Sequence, residues 1–252
     1  MPNFLRPHPS VADSDAAFVQ AEAETTLFAI LSQFKKLWVN NPFNEKLTEN
    51  KLYQLAIARD FGLRVPETIA SSDVNALQEF WNKHEGEVIV KAVSAYPARY
   101  VSDGVIVTRQ VSSNDIKLLK TSTPSVNLFQ ELIPAILDIR VTIVGDSVFA
   151  TAIHSQEGKS PLDWRLDYTV PFTTYELDDK TLTALSQIAS RLGLVYGAAD
   201  LRIMPTGEPV FLEINPYGSF FFIEKLTNQP ISGALADLLR SGKLTRPIYP
   251  AT

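Results

Sequence analysis

Two carboxylates, an amide and a guanidinium stand close together in the stretch YGAADLRIMPTGEPVFLEINPYGS, residues 196–219. Asp200 and Arg202 lie on one run of alternating apolar residues, Glu213 and Asn215 on the next, and Pro-Thr-Gly-Glu separates the runs. A turn at Pro205–Glu208, or the tighter Thr206-Gly207, makes these runs a β-hairpin in which Met204 faces Pro209. Ile203 then faces Val210, Leu201 faces Leu212, and Asp200 faces Glu213, so one side is apolar and points to a core. The other side carries the chemistry. Directly opposed residues have Cβ atoms about 4.5 to 5.5 Å apart, and like charges so placed are destabilising. Something positive should lie between them.

Asn215 falls on the same face as Glu213, about 6.8 Å along the strand. Two carboxylates and an amide oxygen are hard ligands of the kind Mg²⁺ takes when nucleotide phosphates fill its other positions. The hairpin alone fits a second reading equally well, an exposed polar face neutralised by Arg202 or by solvent. Other residues bear on the choice. Lys91 sits among β-branched residues in VIVKAV, where it either reaches a sheet edge or points at an anion in a cleft. Lys51 by itself says nothing. FQELIPAILDIR has a short strand, a proline break, then Asp138 and Arg140 at the head of the next strand. Such a break suits a hinge whose free backbone groups bond a flat base, or an ordinary loop.

The elements that must hold these residues alternate in type. Helical spacing is expected over 15–37, over TENKLYQLAIARDFG with Thr48 as N-cap and Gly62 as stop, over 178–192, and over PISGALADLLRSG. Strands are expected at EVIVKAV, in a hairpin turning at Asp103-Gly104, at NLFQELI, and in a hairpin turning at Gly145-Asp146. The pattern predicts an α+β fold in which helices cover antiparallel sheets.

Composition narrows the function. The 252 residues carry a net charge of -5 and 45% hydrophobic content, enough for a sizeable core but with no basic field for a nucleic-acid backbone. No cysteine is present, which excludes thiolate catalysis, disulfides and cysteine-ligated metals. The histidines, His8, His84 and His154, are too scattered for a zinc motif. MPNFLRPHPS lacks the apolar core of a signal peptide, and no run approaches the ~20 apolar residues of a membrane span, so a cytoplasmic protein is expected.

Taken in order, WVNNP (38–42), ENKLYQLAIARDFGLRVPETI (49–69), VIVKAV (88–93), FQELIPAILDIRVTIVGDSVFATAIHSQ (129–156), DWR (163–165), YGAADLRI (196–203) and FLEINPYGSFFFIE (211–224) resemble the ATP-grasp superfamily. The closer resemblance is to the ligases that macrocyclise ribosomal peptides of the microviridin type, the graspetide synthetases. It implies two α/β lobes whose antiparallel sheets clasp ATP: a smaller lobe at 46–130 and a C-terminal lobe with the Mg²⁺ and phosphate site at 131–252. Residues 1–45 would be the remnant of a longer segment that precedes these lobes in the family.

The resemblance also implies residue roles. Lys51 and Lys91 would reach the nucleotide phosphates, Gln130, Glu131, Leu132 and Ile133 would form the adenine hinge, and Asp138 would hold the ribose. Arg140 and Arg202 would face the γ-phosphate and the acyl-phosphate, and Asp200, Glu213 and Asn215 would bind Mg²⁺. His154 and Arg165 lie where the acceptor side would be, as substrate contacts, although a structural role suits His154 equally. The cofactors implied are ATP and Mg²⁺, and the partner is a precursor peptide whose Asp or Glu side chain is joined to a Ser or Thr hydroxyl or a Lys amine. Two alternatives are an amino-acid ligase acting on a protein terminus and an inactive nucleotide-binding partner protein. The chain departs from the superfamily in the glycine-poor loop SAYPARYVSDG after Lys91 and in the short N-terminal segment.

That short segment leaves Phe18, Leu27, Phe28, Ile30, Leu31 and Phe34 as more apolar residues than one helix face needs. A homodimer is therefore expected. Light scattering over a dilution series checks this, with a mass that falls on dilution as the expected outcome and a constant monomer mass as the contrary one.

Overall fold

The computed structural model describes residues 7–93, 108–121 and 125–245. The chain begins with helices α1 (Asp13–Leu31), α2 (Pro42–Thr48) and α3 (Lys51–Asp60). Helix α1 stops six residues before the expected end at 37, and none of its residues is buried. Phe18, Ile30 and Phe34 stay exposed. Thr48 does not cap α3. It closes α2, donating its hydroxyl to the Asn44 carbonyl at 2.8 Å, while Asn50 caps α3 by accepting from Tyr53 N at 3.1 Å. The seven-residue α2 is too short for periodicity to reveal, but its start is readable in hindsight: Asn41 accepts from Phe43 N at 2.9 Å, and Pro42 occupies the first helical position.

Strands β1 (Thr68–Ser71), β2 (Val88–Lys91), β3 (Arg109–Gln110) and β4 (Asn127–Glu131) form an antiparallel sheet in the order β1-β4-β2-β3. Helices α4 (Val74–Lys83) and α5 (Ser113–Leu119) contribute Leu77, Phe80 and Ile116 to a core completed by Val88 and Phe129. Because side chains alternate, Ile89 and Lys91 leave the other face of β2, beside Gln130 and Leu128 of β4. The hairpin expected at Asp103-Gly104 lies outside the described residues.

The larger sheet takes the order β7-β6-β5-β8-β9. It comprises β5 (Leu137–Val144), β6 (Ser147–Ile153), β7 (Phe172–Thr174), β8 (Tyr196–Ile203) and β9 (Pro209–Asn215). Its apolar face carries Ile139, Val141, Ile143, Ala199, Leu201, Phe211 and Ile214. Against it pack Leu55 and Ala58 of α3 and Leu185, Ile188 and Ala189 of α6 (Asp179–Arg191). Each such leucine or isoleucine, fully buried, contributes about 1.5–3 kcal/mol. Helix α3, which the sequence reading groups with the smaller lobe, thus rides on the larger sheet. Helices α7 (Phe221–Thr227) and α8 (Ile231–Ser241) close a second apolar group around Trp164, Phe172 and Tyr196. The two sheets with their helices make the α+β arrangement that the pattern predicts.

The β5–β6 hairpin matches its expected register, with Val144 opposite Ser147 and Gly145 at φ +59°. The β8–β9 hairpin does not. Its loop is three residues, Pro205 to Gly207, with Gly207 at φ +85° and Met204 N donating to Glu208 O at 3.0 Å. Ile203 therefore faces Pro209 and Leu201 faces Phe211, each one residue away from the expected partner. A β-bulge between Asp200 and Leu201 then takes up one residue of β9, and Asp200 faces Glu213 after all. The loop displaces the register and the bulge restores it, which lets Phe211 and Ile214 share the core face although they are three residues apart.

Beyond β9 the chain turns back over the polar face of the sheet, where the Tyr196 hydroxyl donates to Gly218 O. A Cβ at Gly218 would lie 2.4 Å from the Ala198 Cβ and 2.4 Å from Arg140 Nη2. We predict that Gly218→Ala lowers the melting temperature by several degrees, since overpacking costs about 1–3 kcal/mol and each kcal/mol is worth roughly 2–4 °C in a chain of this size. Thermal melts of both proteins check it; equal melting temperatures would mean that the loop moves aside freely.

Candidate active site

The polar face of the larger sheet brings together most of the residues singled out by the sequence. Two rows of charge run across it. In the first, Arg140 of β5 lies directly opposite Asp200 of β8, which lies opposite Glu213 of β9. Arg140 Nη1 donates to both Asp200 oxygens, at 2.9 and 2.8 Å. In the second row Asp138 lies opposite Arg202. Arg202 Nε donates to Asp138 Oδ1 at 2.9 Å, and its other nitrogens reach the carbonyls of Ile133, at 3.1 Å, and Pro161. All four of these charged side chains are buried. The cation that neutralises Asp200 is therefore Arg140, not Arg202, because Arg202 is two residues further along and opposes a different carboxylate.

Glu213 is served by other elements. Lys51, the first residue of α3, places Nζ 3.4 Å from Glu213 Oε2. Arg165 places Nη1 3.9 Å from Oε1, while its Nε and Nη2 each donate to Asp163 at 2.7 Å. Lys91 completes the group from the facing sheet, near enough that Glu213 opposes the fall in its pKa that burial causes. The two facing carboxylates consequently diverge. Burial pushes Asp200 up, and Arg140 only partly offsets it. Burial pushes Glu213 up as well, but Lys51, Lys91 and Arg165 outweigh it and hold the group below the usual carboxylate range. Asp163 too is held low by Arg165 against its burial.

Asn215 is exposed at the end of β9, its Oδ1 accepting from Tyr217 N at 2.8 Å. With Asp200 and Glu213 it offers hard oxygen donors on one face, a donor set that fits Mg²⁺ shared with phosphates. The residues expected to form the hinge, Gln130 to Ile133, end β4 and begin the loop to β5. Gln130 Nε2 donates to Thr68 Oγ1 at 3.0 Å, and its buried Oε1 has no partner among the described residues. The N–H groups of Glu131 and Leu132 are committed to the carbonyls of Glu67 and Glu87, each at 2.9 Å. Asp138 is further held by the Ser155 hydroxyl at 2.5 Å. His154 stands apart from the cluster, its ring nitrogens 3.2 Å from Glu157 and 3.5 Å from Thr173.

Sequence reasoning passed over residues whose work is to hold others. Asn40 is buried, donates Nδ2 to the carbonyls of Tyr196 (2.8 Å) and Pro216 (3.2 Å), and accepts at Oδ1 from Val195 N and Tyr196 N, both at 2.8 Å. One amide thus ties the start of β8 to the turn after β9. In the sequence it stands beside Asn41, which is the helix cap, and nothing in the pattern separates the two. Asp163 and Gly218 were equally silent, since a turn aspartate and a turn glycine have many commoner uses.

No protein-family model matches the chain, and no curated protein matches it in sequence. Solved structures do match. The macrocyclase MdnC bound with precursor peptide MdnA, from Microcystis aeruginosa MRC, is 28% identical with a TM-score of 0.81, over 93% of this chain and 74% of that one. A Chryseobacterium gregarium RiPP-associated ATP-grasp ligase, in complex with ADP and a leader and core peptide, is 26% identical with a TM-score of 0.81, over 92% and 72%. The ATP-grasp ligase PsnB, complexed with a phosphomimetic variant of a minimal precursor, Mg and ADP, is 25% identical with a TM-score of 0.72, over 91% and 70%. The buried charge rows, the two facing sheets and these likenesses agree: the chain is a ligase with the ATP-grasp fold, similar to the graspetide-type ligases of ribosomal peptide maturation.

Proposed function

We propose that this ligase uses ATP to join an Asp or Glu side chain of a precursor peptide to a Ser or Thr hydroxyl or a Lys amine of the same peptide. The observation that carries the reading is the Asp200–Glu213 facing pair, ringed by Lys51, Lys91, Arg140 and Arg165 from four separate elements. The likeness to structures that hold precursor peptides, ADP and Mg supports it.

In the first step a peptide carboxylate oxygen bonds to the γ-phosphorus as the bond to the β-phosphate oxygen breaks, giving an acyl-phosphate and ADP. In the second the hydroxyl or neutral amine attacks the acyl carbon and phosphate leaves; the proton lost by the attacking group ends on that phosphate. Both steps load negative charge onto oxygens, so positioning and charge neutralisation suffice, with no nucleophile from the protein. Asp200, Glu213 and Asn215 would hold Mg²⁺, which would supply Lewis-acid neutralisation of the phosphates. Lys51 and Lys91 hold the phosphates from opposite lobes, and arrival of phosphate favours the protonated form of Lys91 that burial disfavours. Asp138 and Asp200 keep Arg202 and Arg140 in fixed orientation, Arg202 being tied in addition to the hinge through Ile133 O. The base docks on the hinge through Gln130 to Ile133, and Asp138 is the candidate partner of the ribose. Arg165, half exposed beside Glu213, and His154 are the candidate peptide contacts.

Two outcomes follow. ADP release with a precursor peptide should require Mg²⁺ and fall by on the order of 100-fold or more in Glu213→Gln, with the circular dichroism spectrum unchanged; release indifferent to both would overturn the metal assignment. Lys91→Met should weaken a non-hydrolysable ATP analogue by about 10- to 100-fold in calorimetric titration, as expected for one charged hydrogen bond of about 1.5–3 kcal/mol. Equal affinity would make Lys91 a lysine that only crosses the sheet.

A further inference from the structure

Strand β9 carries Glu213 and Asn215, and it is the edge strand of its sheet. An edge strand has one row of main-chain groups with no strand beside it, and those groups need partners where they are buried. Part of the row is taken by Arg64, whose carbonyl accepts from Phe211 N at 2.9 Å. At Ile214 the partner is a side chain. Gln54 Oε1 accepts from Ile214 N at 2.7 Å, and Gln54 Nε2 donates to Ile214 O at 2.9 Å. The same Nε2 donates to Thr48 O at 2.5 Å, the carbonyl that ends α2. Gln54 is almost wholly buried, at 3% exposure, so water cannot replace these bonds cheaply.

The amide therefore behaves as one residue of a neighbouring strand, and its position gives it a second consequence. Gln54 lies three residues after Lys51 on α3, and residues so spaced share a helix face. That face meets β9 at two adjacent points: Lys51 reaches Glu213, and Gln54 grips the main chain of Ile214. Ile214 points into the core, while its neighbours Glu213 and Asn215 leave the other side of the strand. Pinning the Ile214 peptide groups thus sets the Cα–Cβ directions of both neighbours at once, and sets the distance from the lysine to the carboxylate.

We infer that Gln54 is a positioning residue for the metal and phosphate site: its amide holds Lys51, Glu213 and Asn215 in one register. This rests on the proposed roles of those three residues. Partners that orient metal ligands typically change metal affinity by about 10- to 100-fold when removed. The test is calorimetric titration of Mn²⁺, as a stand-in for Mg²⁺, into protein saturated with a non-hydrolysable ATP analogue, at a temperature where every variant is folded.

Gln54→Met, which keeps the length and removes both bonds to Ile214 together with the one to Thr48, should weaken Mn²⁺ by 10-fold or more. Thr48→Val, which removes a buried hydroxyl nearby without touching β9, should lower the melting temperature and leave Mn²⁺ affinity within about 2-fold of wild type. Should Gln54→Met fail to fold, Gln54→Glu serves in its place. A protonated carboxyl there offers one acceptor and one donor to Ile214, so its Mn²⁺ affinity relative to wild type at the same pH should recover as pH falls. Mn²⁺ affinity equal to wild type in folded Gln54→Met, or a reduced affinity in Gln54→Glu that does not recover as pH falls, overturns the inference while leaving the proposed function standing. Wild-type protein whose nucleotide complex takes up no Mn²⁺ would overturn the proposed function, and this inference with it.

Discussion

Two carboxylates opposed across adjacent strands are the constraint on which the rest of this site depends. At about 5 Å and an effective dielectric of about 20, two full negative charges repel by on the order of 3 kcal/mol. Burial adds a desolvation cost to each. The sheet alone cannot relieve this, so cations arrive from β5, from the start of α3, from the facing sheet and from the loop that carries Arg165. Their distribution is uneven. Asp200 receives a single guanidinium, one nitrogen of which donates to both its oxygens, while Glu213 faces three cations at longer range, and the two acids are driven apart in acidity. Glu213, met by its cations only at longer range, exchanges those partners at less cost than Asp200 does.

That charge arrangement is only as good as the backbone that carries it, and polar side chains do much of the holding. Asn40 and Gln54 each bridge main-chain groups more than 150 residues away in sequence. Tyr196 and the bare Cα of Gly218 bring the loop after β9 down onto Arg140. Buried amides suit this use because each one donates and accepts in the same plane, as a peptide group does, and leaves little polar capacity unmet. An apolar residue of equal volume would fill the space and leave the edge of β9 unpaired.

The Asp200–Glu213 pair shows what a sequence can get right by two compensating departures. A tight or four-residue turn predicts the pair directly; the actual three-residue loop would have moved it by one position, and the bulge at Leu212 moves it back. The residue pattern does contain the reason, since Leu212 breaks the alternation that would otherwise put Phe211 and Ile214 on opposite faces. It reads as a third apolar neighbour until the core shows which two are needed. The Gly145-Asp146 hairpin was legible without help, because a glycine of positive φ between two strictly alternating runs admits few alternatives. The α+β class, the helix over 178–192 and the motif order were legible for the same kind of reason, since each is written in local periodicity, caps and turns.

Local periodicity determined which residues lie on one face of a strand or helix, and it put Asp138 with Arg140, Asp200 with Arg202, and Glu213 with Asn215. Only the tertiary structure decided which faces meet. The pairing of Arg140 with Asp200 and of Arg202 with Asp138 depends on the register between β5 and β8, strands separated by more than 50 residues of chain. The docking of α3 on the larger sheet, which brings Lys51 to Glu213, depends on Leu55 and Ala58 meeting Ile188 and Phe211 in one core. Such choices are settled by the sum of many burial terms taken together, and no short stretch of sequence contains that sum.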